Sequence, residues 1–157
     1  MKNLKNLSVL LPDTGAGQLA FCAIKELNAL TQTRPEIDSI IFYENKHKNC
    51  LPTNFAVMQI AEAWGQDGPI IATSLSTAHQ LIKFPSAKKI FYVWDLEWIR
   101  DGHARQYEKY SLIYQDKSLE LIARSKPHKK AIENAFNRKV EHVVSDFNMS
   151  AILEILQ

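Results

Sequence analysis

The chain has 157 residues and a mass of 17.9 kDa, of which 46% are apolar and 23% charged, a composition that excludes wholesale disorder and fits one domain over residues 1–157. Nineteen Lys and Arg against seventeen Asp and Glu leave a formal charge of +2, too little for a global electrostatic pull toward nucleic acid or membrane. Two cysteines, Cys22 and Cys50, cannot build a disulfide scaffold or a four-thiolate zinc site, and they point to a reducing, cytoplasmic setting.

In chain order, Leu7 to Leu11 is a short apolar run stopped by Pro12-Asp13-Thr14-Gly15, which predicts a buried strand and a turn. The run is too short for a signal-peptide core or a membrane span. Gln18 to Leu30 carries Leu19, Ala23, Ile24, Leu27 and Leu30 at helical spacing. Asp38 to Tyr43, DSIIFY, is a β-branched and aromatic strand, and Glu44 to Thr53 is a polar loop. Val57, Ile60, Ala61 and Trp64 then read as an amphipathic helix ended by Gly65 and Gly68-Pro69. Pro69 to Thr73 is a strand, with Ser76 the expected cap of the helix that holds Ala78, Leu81 and Ile82.

Pro85-Ser86 breaks that helix, and Ile90 to Trp94 is the strongest strand of the chain. A polar, aromatic stretch runs to Gly102, and a helix is expected over Gln106 to Tyr114. Leu119 to Ala123 is a strand. Pro127 to Phe136 is a helix capped by Ser125, Val140 to Val144 is the last strand, and Asn148 caps a final helix through Ile152, Ile155 and Leu156. Alternation of this kind implies an α/β fold, a three-layer α/β/α sandwich on a mostly parallel sheet, Rossmann-like. Ligands in such sheets sit beyond the C-terminal strand ends, which selects the loops that matter.

Four such loops carry polar chemistry. Asp13, Thr14, Gly15 and Gly17 follow the first strand; they would let backbone approach a ligand, or simply form a tight turn, and the third glycine of a dinucleotide motif is missing. Asp95 follows the strongest strand. It could act as a general base or hold sugar hydroxyls beside Trp94 and Trp98, or it could cap a turn over a tryptophan-filled core. Glu97 and Arg100 read as a surface pair. Ser125, His128 and Lys129 open the fifth predicted helix, where a phosphate could sit, or where a cap adjoins a solvated basic face. Asp146 or Asn148 caps the final helix. His47, His79, His103, His128 and His142 show no metal-ligand spacing on one element, so no metal is expected; no cofactor is expected either, a nucleotide-sugar being a possible substrate. A receiver-like reading of Asp13 and Asp95 lacks a second acid beside Asp13. Lys83, Lys88, Lys89 and the 124–130 run lack a nucleic-acid recognition motif.

The order KKIFYVWDLEWIR, a tyrosine-bearing helix, then LELIARSKPHKKAIENAFNRKVEHVVSDFN resembles the N-terminal half of a GT-B-fold glycosyltransferase, and LSVLLPDTGAG resembles the first strand and glycine-containing loop of that family. The wording is similar to small glycosyltransferase-like proteins of large tailed phages, which would place the chain in a host cytoplasm. The resemblance implies a single GT-B half that transfers or recognises a sugar from a nucleotide-sugar. Asp95 would be the base or an acceptor anchor, the 13–17 loop would lie beside the acceptor, and Ser125 with His128 near the donor phosphates. Family members bind the donor mainly in a second lobe. The resemblance therefore calls for a homodimer, a separate donor-binding chain, or a non-catalytic module that binds a protein partner through Trp94, Trp98, Tyr107, Tyr110 and Tyr114.

Overall fold

The computed structural model describes residues 4–86, 88–101 and 104–157. Seven strands form one sheet, and all its pairings are parallel. They are β1 (Asn6–Asp13), β2 (Asp38–Asn45), β3 (Ala56–Gln59), β4 (Ile70–Ala72), β5 (Lys89–Val93), β6 (Leu119–Ala123) and β7 (His142–Val143), in the order β3-β2-β1-β4-β5-β6-β7. The helices are α1 (Gln18–Thr33), α2 (Leu75–Ile82), α3 (Glu97–Asp101), α4 (Ala104–Tyr114), α5 (Lys126–Phe136) and α6 (Met149–Leu156). The α/β/α sandwich is thus as expected, with the sheet wholly parallel.

The apolar strands divide their side chains between two faces because successive residues point to opposite sides. Val9, Leu11, Ile41, Ile71, Ile90, Tyr92 and Ile122 pack under α1 and α6. Leu10, Phe42, Ala72, Phe91, Val93 and Leu121 pack under α2, α4 and α5. Both faces are covered, which is why β1 is buried without interruption from Leu7 to Leu11. The chain leaves β1 in one direction for β2 and β3, then crosses back to place β4 on the other side of β1. The gap between β1 and β4 is the switch point of the topology.

Three local expectations differ from the structure. The segment 57–64 is not one helix: β3 covers Ala56–Gln59 and a 3-10 turn follows over Ile60–Gly65. The free edge of β2 decides this, since Val57 pairs with Ile41 in the ladder, while Trp64 stays exposed and meets Phe84 in a tilted ring contact at 5.0 Å. The cap of α2 is Ser74 and not Ser76. The Ser74 hydroxyl accepts from the Thr77 N–H at 3.1 Å, and the Thr77 hydroxyl accepts from the Ser74 N–H at 3.0 Å, a reciprocal box. The last strand shrinks to His142–Val143, at the sheet edge. Gly68 is required as glycine: its φ is +96°, and a Cβ there would meet the Asn6 carbonyl oxygen at 2.7 Å. Among the described residues no helix is long and apolar enough to cross a membrane.

Candidate functional site

At the tip of β1 the loop is stitched to its neighbour. Asp13 accepts from the Gly15 N–H at 2.8 Å and lies 3.9 Å from His47. Thr14 is buried, and its hydroxyl donates to Asn49 Oδ1 at 2.7 Å, while the Cys50 N–H donates to the Thr14 carbonyl at 2.9 Å. A Cβ on Gly15 would come within 3.1 Å of the His47 Cβ, so internal packing asks for this glycine. Gly17 is different. It stands at the start of α1 with extended backbone, no side-chain cap and open space around it. It lines a cavity of about 510 Å³ together with Phe21, Cys22, Cys50, Arg124 and Asp146. Arg124 lies over Trp94, 3.9 Å from the ring centroid, and 3.5 Å from Asp146. Burial, and then Asp146, push the Cys22 thiol up, so it stays protonated and a weak nucleophile.

The second cavity, about 440 Å³, opens beyond β4 and β5 and holds Asp95. Ser76 and His79 reach it from α2, one turn apart; Asp95, Glu97 and Arg100 come from the end of β5 and α3; Lys109 and Tyr110 come from α4. Arg100 Nη2 sits 2.7 Å from Asp95 Oδ2. Glu97 Oε2 accepts the N–H of Leu75 at 2.7 Å, which places a negative charge at the N-terminal end of α2. Arg100 thus holds Asp95 and Glu97 holds the start of α2, so each supports a different wall. Glu44, at the end of β2, accepts from the Ser76 hydroxyl at 2.6 Å and from Gln80 Nε2 at 2.9 Å. The strand-end acid near the ribose position of dinucleotide-binding folds thus serves here to orient Ser76.

Packed in one apolar cluster with Leu75 and Ile113 of the cavity wall lies an aromatic floor. Trp98 meets Tyr114 edge-on at 5.3 Å and Phe136 at 4.8 Å, and it does not line the cavity as an acceptor-side platform. Tyr114 is fully buried and its hydroxyl has no partner among the described residues. Burial, then the charges of Glu97 and Asp95, raise its phenol well above the usual range. Trp94 is buried on the opposite face of the sheet, and Tyr107 stacks on Phe136 and donates to the Ala135 carbonyl. Of the five aromatics expected to form a partner surface, Trp94 and Tyr114 are buried, Trp98 and Tyr110 are half-buried and Tyr107 is exposed.

Ser125, His128 and Lys129 line neither cavity. Ser125 caps α5 by accepting the His128 N–H at 3.2 Å, and Lys129 lies 3.8 Å from Glu133 one turn along. Asn148 caps α6, accepting from Ala151, whereas Asp146 adopts a left-handed φ of 49° and faces Arg124. The structure thus separates the expected site residues. Asp95 sits in one cavity and Gly17 in the other, while Asp13, Thr14, Gly15, Trp98, Ser125, His128 and Lys129 line neither. Sequence reasoning missed Ser76, His79 and Lys109 as cavity residues, and it placed Tyr110 only on a partner surface. The one signal for the first two was a polar pair three residues apart on a helix that starts at a C-terminal strand end. Among the described residues no group of three or more His, Cys, Asp or Glu is placed to hold a metal ion, and His103 lies outside those residues.

No family model, no curated protein and no solved structure matches this chain.

Proposed function

We propose that the chain is a glycosyltransferase-like module that recognises a sugar in the Asp95 cavity, as one half of a transfer from a nucleotide-sugar. The carrying observation is the lining of that cavity: carboxylates Asp95 and Glu97, cations Arg100 and Lys109, and the Ser76 hydroxyl around a volume of about 440 Å³. A sugar hydroxyl both donates and accepts, so a lining with both signs of charge and no net excess suits a neutral polyhydroxyl ligand. Asp95, oriented by Arg100, would accept a hydroxyl proton in a hydrogen bond, and Lys109 would donate to a hydroxyl oxygen. The donor and its diphosphate would be held by a second copy or a separate chain. Isothermal titration with UDP- and GDP-sugars, with and without monosaccharide acceptors, tests this. Saturable binding that Asp95→Asn weakens supports it. Absence of binding at millimolar concentration together with no turnover ends it.

A second reading, a non-catalytic module that binds a protein, is favoured by one observation. Ile99 on α3 and Leu112 on α4 are 61% and 73% exposed. A stoichiometric partner whose binding is lost in Leu112→Glu, combined with inactivity toward sugars, would select it.

A further inference from the structure

We infer that His79 is the group that takes the proton from a hydroxyl bound in the Asp95 cavity, because every other base that lines that cavity among the described residues already has a bonding partner. This rests on the sugar-recognition reading above. Asp95 is held by Arg100 at 2.7 Å. Glu97 accepts the Leu75 N–H at 2.7 Å, and Glu44 behind the wall is taken by Ser76 and Gln80. His79 lines the same cavity from α2, is solvent-accessible, and makes no hydrogen bond or ion pair among the described residues.

The groups that face it set its charge. Burial comes first, then Lys83 one turn along α2 and Lys109 across the cavity on α4, and together they push the imidazole below its ordinary 6.5. Asp95 and Glu97 face it from the end of β5 and from α3, but each already compensates another group, Arg100 or the start of α2. Tyr110 completes the α4 side. His79 is thus neutral at pH 7 and has a lone pair to offer. In the transfer step the hydroxyl O–H bond breaks and its proton goes to the imidazole. The oxygen electron pair forms a bond to the anomeric carbon of the nucleotide-sugar. The bond from that carbon to the diphosphate breaks, and the nucleoside diphosphate leaves with the electron pair. Asp95 then positions the hydroxyl and is not the base.

The test is an NMR titration of the full chain's imidazole signals against pH, alone and with D-glucose, D-galactose or D-mannose, joined to a transfer assay with UDP-glucose and GDP-mannose. The expected result is a His79 signal that titrates below 6.5 and moves lower still with sugar, and binding that weakens as pH falls through that range. His79→Gln abolishes the pH dependence and slows transfer by about 10²-fold or more, while Asp95→Asn weakens binding and keeps the pH dependence. Should sugars shift Ser76 and Asp95 signals yet His79→Gln bind and react with an unchanged pH profile, the inference fails and the cavity reading stands. Should no sugar move any signal from the cavity, the cavity reading fails and this inference fails with it.

Discussion

The two cavities at the C-terminal edge of the sheet differ in what builds them. The one beside α1 is lined by Gly17, Phe21, Cys22 and Cys50, with a single cation, Arg124, set over Trp94 and near Asp146. The one beyond β4 and β5 gathers Ser76, His79, Asp95, Glu97, Arg100 and Lys109 around an aromatic floor. Both lie where the Rossmann-like topology directs ligands, yet only the second brings acids, cations and a free imidazole within one space. Position in a parallel sheet selects an edge. The side chains of the covering helices decide which stretch of that edge can do chemistry.

The comparison can be broken most forcefully from below. Phe136→Ala removes a fully buried ring that touches Trp98, Tyr107 and Tyr114, and it should cost about 3–5 kcal/mol in a urea unfolding curve. Sugar binding should fail with it if the floor sets the cavity; binding unchanged in the folded variant would detach the two. Asp95→Asn should lower sugar affinity by roughly ten- to a hundredfold, the range for a hydrogen bond to a charged group, with little effect on melting temperature. Gly17→Ala is its counterpart in the other cavity. An added Cβ meets nothing within 4 Å and the backbone is extended, so affinity should hold and stability should fall by no more than about 1 kcal/mol. Loss of sugar binding in Gly17→Ala would move the site to the α1 side.

Ser125→Ala should cost about 0.5–2 kcal/mol through the lost cap of α5 and leave ligand affinity untouched. A specific loss of binding would restore Ser125 to the site. The smallest effect is at the opposite edge. Burial works to raise the Glu120 carboxyl, but Lys88 and His142, both hydrogen-bonded to it, hold it below its ordinary 4.5. A depressed carboxyl stabilises the fold above its unfolded value. That part should be present above about pH 4.5 and lost as pH falls through the lower folded value. Thermal melts from pH 6 to pH 3 should show a shallower decline in Glu120→Gln, with no change at the Asp95 cavity.

Much of the fold was legible because its signals are local. β6 lies over Leu119–Ala123 as the apolar run predicts, and α5 starts after Ser125 because a hydroxyl before Lys126-Pro127 can accept a free N–H of the first turn. The segment 57–64 misled because its spacing of three and four fits a helix, while the open edge of β2 offered its backbone a ladder instead. Of the site, Asp95 was legible as an acid past a buried strand. His79 was not, since nothing near it in sequence marks a side chain whose neighbours arrive from residues 95–113.

By itself, then, the order of residues determined most of the strands and helices, though not the 57–64 segment, and it determined which loops end at the ligand-facing edge and that Asp95 stands there. Those follow from periodicity, capping and strand composition, each read over a few neighbouring residues. Tertiary structure alone decided that Asp13 and Thr14 are spent on holding the 45–50 loop, that Trp98 is floor and not platform, and that His79 shares a cavity with Asp95. Those facts depend on which distant side chains meet once the sheet is wound, and pairwise contact across long sequence separations leaves no mark in a single sequence.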